Sequence, residues 1–227
     1  PIDLAYLNPI SNHLEIELND RQNVLGLDNA NAIWQFSADV FFKDGFRFST
    51  NIIIDELTID KVELDSGKVN GLGMSARISY STTLNKNLIG LYGEITSIGT
   101  HTYRHVNGLN NFVQRGYPLG WKSGSDGYEF KFGCKFYNEK NILFNTNIGK
   151  RVVGSSNIIN NQYVEYVNDY KNDKFPSGIL NKSFFFYTQF QWRINQKNNI
   201  SIIFDYQNDN SNISKTLIKV NFYRFII

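Results

Sequence analysis

From Trp34 onward nearly every patterned segment alternates apolar and polar residues, and helical spacing hardly occurs. Between Gly127 and Asn138, Tyr128, Phe130, Phe132, Cys134 and Phe136 point one way, while Glu129, Lys131, Gly133 and Lys135 point the other. Lys182–Ile194 sets Phe184, Phe186, Phe190 and Trp192 against Ser183, Gln189, Gln191 and Arg193. The stretches starting at Trp34, Phe46, Leu72 and Asn199 repeat the pattern. Period two over this much of the chain predicts an all-β protein.

The connections narrow the architecture. Lys43–Gly45, Leu84–Asn87, Glu139–Asn141 and Asn195–Asn198 read as tight hairpin turns. Between them lie long polar stretches at Glu56–Asn70, Val106–Ser125 and Gly154–Asn181, so short and long connections are expected to alternate strictly. Strands of about 10–13 residues exceed the usual soluble length and match the roughly 9–11 residues that cross a bilayer at a tilt. Short turns at one end and long loops at the other are the arrangement of a membrane barrel. The polar faces hold Arg77, Glu129, Lys131, Arg151 and Arg193, charges better suited to a wet lumen than to a dry core. Phe, Tyr and Trp near strand ends fit interfacial girdles. The prediction is an antiparallel transmembrane outer-membrane β-barrel. Residues 1–30 form a lead-in loop or partial strand, and 31–227 form one region of strands, turns and loops.

About nine strands follow Asn31, an odd number, whereas closed single-chain bacterial barrels have an even one. Either His13–Leu18 supplies another strand or residues precede Pro1, and the reading favours part of a larger barrel.

Composition agrees. Aromatic residues make up 15% of the 227, charged residues only 19%, and the net charge is +2, which leaves no concentrated basic surface for nucleic acid. Cys134 stands alone, excluding an internal disulfide framework, and its place in the apolar row makes it a small hydrophobe. No apolar run approaches the length of a transmembrane helix, and the mean hydropathy is −0.34.

Several short motifs, in order, resemble one family. Tyr6-Leu7-Asn8-Pro9 is followed by Asp20–Asp28 (Asp-Arg-Gln-Asn-Val-Leu-Gly-Leu-Asp), then by Ile54-Asp55-Glu56-Leu57 at the end of a strand. Thr102-Tyr103-Arg104-His105 precedes Arg115-Gly116-Tyr117-Pro118-Leu119-Gly120. Together these resemble the Wzi family of capsule-assembly outer-membrane proteins. The resemblance implies a many-stranded barrel in the bacterial outer membrane that holds extracellular polysaccharide at the cell surface, with outer-membrane lipid as its other partner. The chain departs from the family after Gly120 and in ending Phe225-Ile226-Ile227 rather than on an aromatic residue.

Candidate chemistry concentrates in the loop His101–Asp126. Tyr103, Tyr117 and Trp121 offer faces for sugar C–H groups, and Arg104 and Arg115 offer guanidinium groups for hydroxyls or uronic acids. The competing reading is that these aromatics only pack the loop into the barrel mouth. Residues Tyr163, Tyr166, Tyr170 and Phe175 in the next long loop carry the same two readings. His101 and His105, four apart, lack a visible third ligand, so neither a metal nor any other cofactor is expected. A hydrolase built on these histidines, a loop serine and Asp126 lacks a nucleophile elbow, so catalysis is not the expected role. Polysaccharide tethering without catalysis is the first reading, and a porin-like channel for small solutes the second.

Overall fold

The computed structural model describes residues 33–57, 61–65, 70–104, 111–160, 174–195, 197–210 and 214–224. The segments Tyr6–Pro9, His13–Leu18 and Asp20–Asp28, together with His105, Tyr163, Tyr166 and Tyr170, lie outside them.

Nine strands form one antiparallel meander: β1 (Trp34–Phe41), β2 (Phe46–Glu56), β3 (Gly71–Leu84), β4 (Asn87–Ile98), β7 (Gly127–Tyr137), β8 (Ile142–Val153), β9 (Asn181–Arg193), β10 (Asn198–Asp209) and β11 (Ser214–Arg224). A two-stranded hairpin, β5 (Val113–Gln114) with β6 (Tyr117–Pro118), sits in the long β4–β7 connection. One helical turn, α1 (Lys61–Asp65), lies between β2 and β3 where only a polar loop was expected. No helix among the described residues is long and apolar enough to cross a membrane, which says nothing of strands.

The turns form where the sequence provides residues that tolerate positive φ. Asn85 and Lys86 (φ 46° and 66°) make the two-residue turn that matches strand twist, and Asp44 and Asn141 also take left-handed conformations. Strict alternation of connections fails once. β10 and β11 are joined by only residues 210–213, at the end where a long loop was expected. The side chain of Asn210 takes over the role of a loop there: its Nδ2 donates to Leu180 O (2.9 Å) and its Oδ1 accepts from Lys182 N (3.1 Å), tying the turn to the neighbouring strand.

Among the described residues the sheet is open. β1 pairs only with β2, and β11 only with β10. Nine antiparallel strands leave β1 and β11 pointing the same way, so these two edges cannot close on each other as an antiparallel pair.

Register sorts the side chains into two faces of opposite character. One row across the sheet reads Val40, Phe48, Ile78, Gly93, Phe132, Ile148, Phe186, Tyr206 and Thr216. The alternate row reads Ser37, Asn51, Ser75, Thr96, Glu129, Arg151, Ser183 and Asp209. Burial is inverted relative to a water-soluble domain: Phe132 and Val220 are each 67% exposed, while Glu129 is 7% and Ser201 4% exposed. Among the described residues the contacts between strands run between hydrogen-bonded neighbours. The sheet therefore curls with its polar face inside.

Two glycines on that inner face permit the curl. A Cβ at Gly133 would lie 2.2 Å from the ring of its cross-strand partner Tyr92, and one at Gly149 would lie 2.3 Å from that of Phe185. The rings lie flat over the bare backbone, a device that offsets the weak packing of strand glycines. Arg77 covers Tyr92 at 3.9 Å from the ring centroid, and Arg151 covers Phe185 at 5.1 Å.

Candidate functional site

On the inner face charges are linked across four strands. Arg77 reaches Glu94 (3.7 Å), Glu94 holds Lys131 (2.7 Å), Lys131 approaches Glu129 (3.7 Å), and Glu129 accepts from Arg151 Nε (2.7 Å). Alternating sign keeps each partly buried charge compensated. The structure brings Arg77, Glu129, Lys131 and Arg151 together, joined by Glu94, which the sequence reading did not single out. Arg193 does not join them. It is exposed at the end of β9, next to a short turn, because the ladder occupies the middle and far end of the face.

Above the ladder, the long connections build a cap around Asp126, which is fully buried. Four donors converge on its carboxylate. Thr100 Oγ1 and Ser177 N donate to Oδ1 (both 2.8 Å), and Ser177 Oγ (2.6 Å) and Ser156 N (3.2 Å) donate to Oδ2. Asp126 also adopts φ 56°, a conformation Asp tolerates better than most side chains. Asn157 makes the second knot: Nδ2 donates to Ser123 O (2.7 Å) and Ser125 O (2.5 Å), while Oδ1 accepts from Ile159 N (2.6 Å). These bonds join two separate connections, β4–β7 and β8–β9, which is how a loop cluster with few apolar residues satisfies its buried backbone.

An apolar kernel lies beneath. Ile98, Tyr103 and Ile158 are buried, with Ile33, Ile53, Phe112, Val113 and Trp121 packed against them. Ile53 and Ile98 belong to the inner face of the sheet, so the cap folds inward over the mouth end of that face. Tyr103 stacks on Phe112 (centroids 5.5 Å apart), and its backbone N–H donates to the Asp55 carboxylate. Burial pushes the Tyr103 phenol above the ordinary 10.0, with the Asp55 charge acting the same way and a hydrogen bond with the Trp121 backbone opposing both. Below pH 10 the phenol is neutral whether or not the cap is formed, and the cap keeps its full stability. At higher pH the exposed phenol of the open cap ionises first, so stability falls until the buried phenol also ionises. Amide protection in residues 99–104 and 111–126, taken relative to the base-catalysed rate of an unfolded chain, should therefore fall above pH 10 in the wild type. Tyr103→Phe should flatten that dependence.

The residues expected to touch sugar divide into three groups. Tyr103 and Arg104 are buried within the cap, the Arg104 guanidinium donating to Ser156 O. Trp121 is half-buried against the kernel. Arg115 and Tyr117 are exposed on the β5–β6 hairpin, Tyr117 at 77%. Segments distant in sequence meet here too: Asp55 binds Tyr103, and the Tyr103 ring lies against Gly120.

Between the cap and the inner face lies a cleft of about 440 Å³. Lys122, Arg151, Asn157, Asn160, Asn181 and Gln207 line it, with Ile159 and Ile179 adding apolar surface. Two cations and four amides, beside small apolar patches, are the groups that recognise hydroxyl-rich, acid-bearing sugars. Sequence reasoning found Arg151 but missed the others, because they come from loops and strands that no local pattern connects. A larger depression of about 540 Å³ lies on the outer face, where Gly93 leaves a gap among Ile78, Leu91, Phe132, Ile148 and Phe186.

Both Asp126 oxygens bind hydroxyl and backbone N–H donors, which is an anchoring arrangement. No group of three potential metal ligands occurs among the described residues.

No protein-family model, curated protein or solved structure matches the chain.

Proposed function

We propose that this chain is part of an outer-membrane β-barrel that binds extracellular polysaccharide at the cell surface, without catalysis, as its resemblance to the capsule-assembly Wzi family implies. The observation that carries the membrane reading is the outer face. On β9, Lys182 and Trp192 lie ten residue steps apart, and the outward side chains between them, Phe184, Phe186, Thr188 and Phe190, are uncharged. That length is about 34 Å along a strand and roughly 25 Å across a bilayer at a tilt near 40°. The equivalent stretches of the other strands, such as Leu72–Leu84 and Tyr128–Phe136, are uncharged as well. In water this continuous apolar face would be an aggregation surface. In lipid it is the expected exterior.

The binding reading draws support from the inward-folded cap and the cleft beneath it, together with the exposed Arg115 and Tyr117 on the β5–β6 hairpin of the same connection. An open channel would need that mouth clear. Trp121 packs against the kernel, so Tyr117→Ala, Arg115→Gln and Lys122→Gln are the cleaner variants. Each should weaken retention of capsular polysaccharide in a glycan pull-down by about tenfold without changing the circular dichroism spectrum. Full retention in all three would remove polymer binding from this region, and steady ion conductance in planar bilayers would place the protein with porins.

A further inference from the structure

The outer face carries two cations at the long-loop end, Lys150 on β8 and Lys182 on β9, both exposed. Lys150 pairs across strands with Phe184, and Lys182 lies two residues from Phe184, so the two are diagonal neighbours about 7–8 Å apart. Neither forms an ion pair with a carboxylate among the described residues, and every carboxylate of β7–β10 points to the inner face. Amide and hydroxyl groups share the row, since Phe184 is followed across the sheet by Asn208 and Ser214. Directly towards the short-turn end begins the Gly93 depression, with Ile148 and Phe186 at its border. A cation on a lipid-facing surface is costly in mid-bilayer and nearly free at the interface, where it meets headgroups.

Resting on the membrane reading above, we propose that Lys150, Lys182 and the Gly93 depression form a site for a phosphorylated glycolipid of the outer leaflet. The lysines hold its phosphates, Asn208 and Ser214 meet its sugar hydroxyls, and an acyl chain lies in the depression. Sugar-borne phosphates beside acyl chains fit this arrangement better than free phosphate, which has no use for an apolar groove two residues below the cations.

The test uses the full chain in neutral detergent, titrated with diphosphoryl lipid A or with the same lipid stripped of phosphate. Wild type should prefer the phosphorylated form by about 30-fold, the effect of two interfacial lysines. Lys150→Gln with Lys182→Gln should abolish the preference, and the double arginine variant should retain it. Both positions are exposed, so folding should survive, as unchanged circular dichroism would verify. An unchanged preference in the glutamine variant would overturn the site, as would full competition by millimolar inorganic phosphate. A separate measurement isolates the underlying reading: the wild type should resist carbonate extraction from phosphatidylcholine vesicles. Extraction would overturn the membrane reading and this site with it, whereas resistance without lipid preference would overturn the site alone.

Discussion

Replacing Asp126 by Ala should detach the cap from the sheet while leaving the nine strands paired. The substitution removes an acceptor of four donors, two of them backbone amides, of which Ser156 N keeps a second acceptor in Ser177 Oγ (3.2 Å). Stranding buried donors costs about 1–3 kcal/mol each, and breaking a buried charged network by truncating one partner costs about 3–5 kcal/mol in all. The upper range applies because Thr100 comes from the β4–β7 connection and Ser156 and Ser177 from the β8–β9 connection, and no single local shift can satisfy all of them. Alanine at φ 56° adds strain that aspartate tolerates better. The expected result is proteolytic cleavage within residues 99–126 and 154–180 at protease levels the wild type withstands, with the strand amides still slow to exchange. Asp126→Asn keeps the backbone preference and one acceptor oxygen, so it should lose about half as much. Equal protection of Ala and wild-type loops would mean that the apolar kernel around Tyr103 alone holds the cap.

The contrast between sheet and cap shows what a linear sequence can carry. Strand positions, faces and turns were legible because alternation is a local signal: Tyr128 to Phe136 reads as one outward row from nine consecutive residues. Positive φ at Asn85, Lys86 and Asn141 was legible for the same reason, since turn chemistry is decided by the turn's own residues. The ladder was legible in part. Arg77, Glu129, Lys131 and Arg151 were placed on one face by parity, but their pairing through Glu94 depends on register. Register is a relation between strands, set by turn lengths and by the shared apolar face. Arg193 has the right parity and the wrong height, and parity alone does not report height. The cap was illegible beyond its aromatic content. Asp126, Asn157 and Ser177 are ordinary loop residues until two connections meet, and Tyr103 reads equally as a sugar platform or as the kernel of a plug. The structure buries it.

Leu91→Arg should be the most informative substitution on the sheet, because its cost depends on the solvent that the outer face meets. Leu91 is half exposed, it lies in the same cross-strand row as Tyr80 and Cys134, and it faces outward near the middle of the uncharged band. In a water-soluble sheet, arginine at a half-exposed position with no specific partner changes stability by no more than about 0.5 kcal/mol. In a bilayer, arginine at mid-depth costs about 2–4 kcal/mol, falling to about 0–1 kcal/mol near the interfaces. Lys150→Arg, at the edge of the band, should therefore be silent, while Leu91→Arg should lower the stability of the folded protein in phosphatidylcholine vesicles by the larger amount. Refolding titrations in urea, followed by tryptophan fluorescence, measure both. Trp34 and Trp192 serve as reporters, since both lie on the outer face. The inner face provides the internal control. Ser79→Arg, on the adjacent strand with opposite parity, faces the ladder side and should cost little in lipid. A large loss for Leu91→Arg with small losses for the other two is the pattern of a sheet that is polar inside and lipid-facing outside. Uniformly small losses would mean that water bathes both faces, and the long exposed rows of Phe, Ile and Leu would then have to be covered by another protein surface.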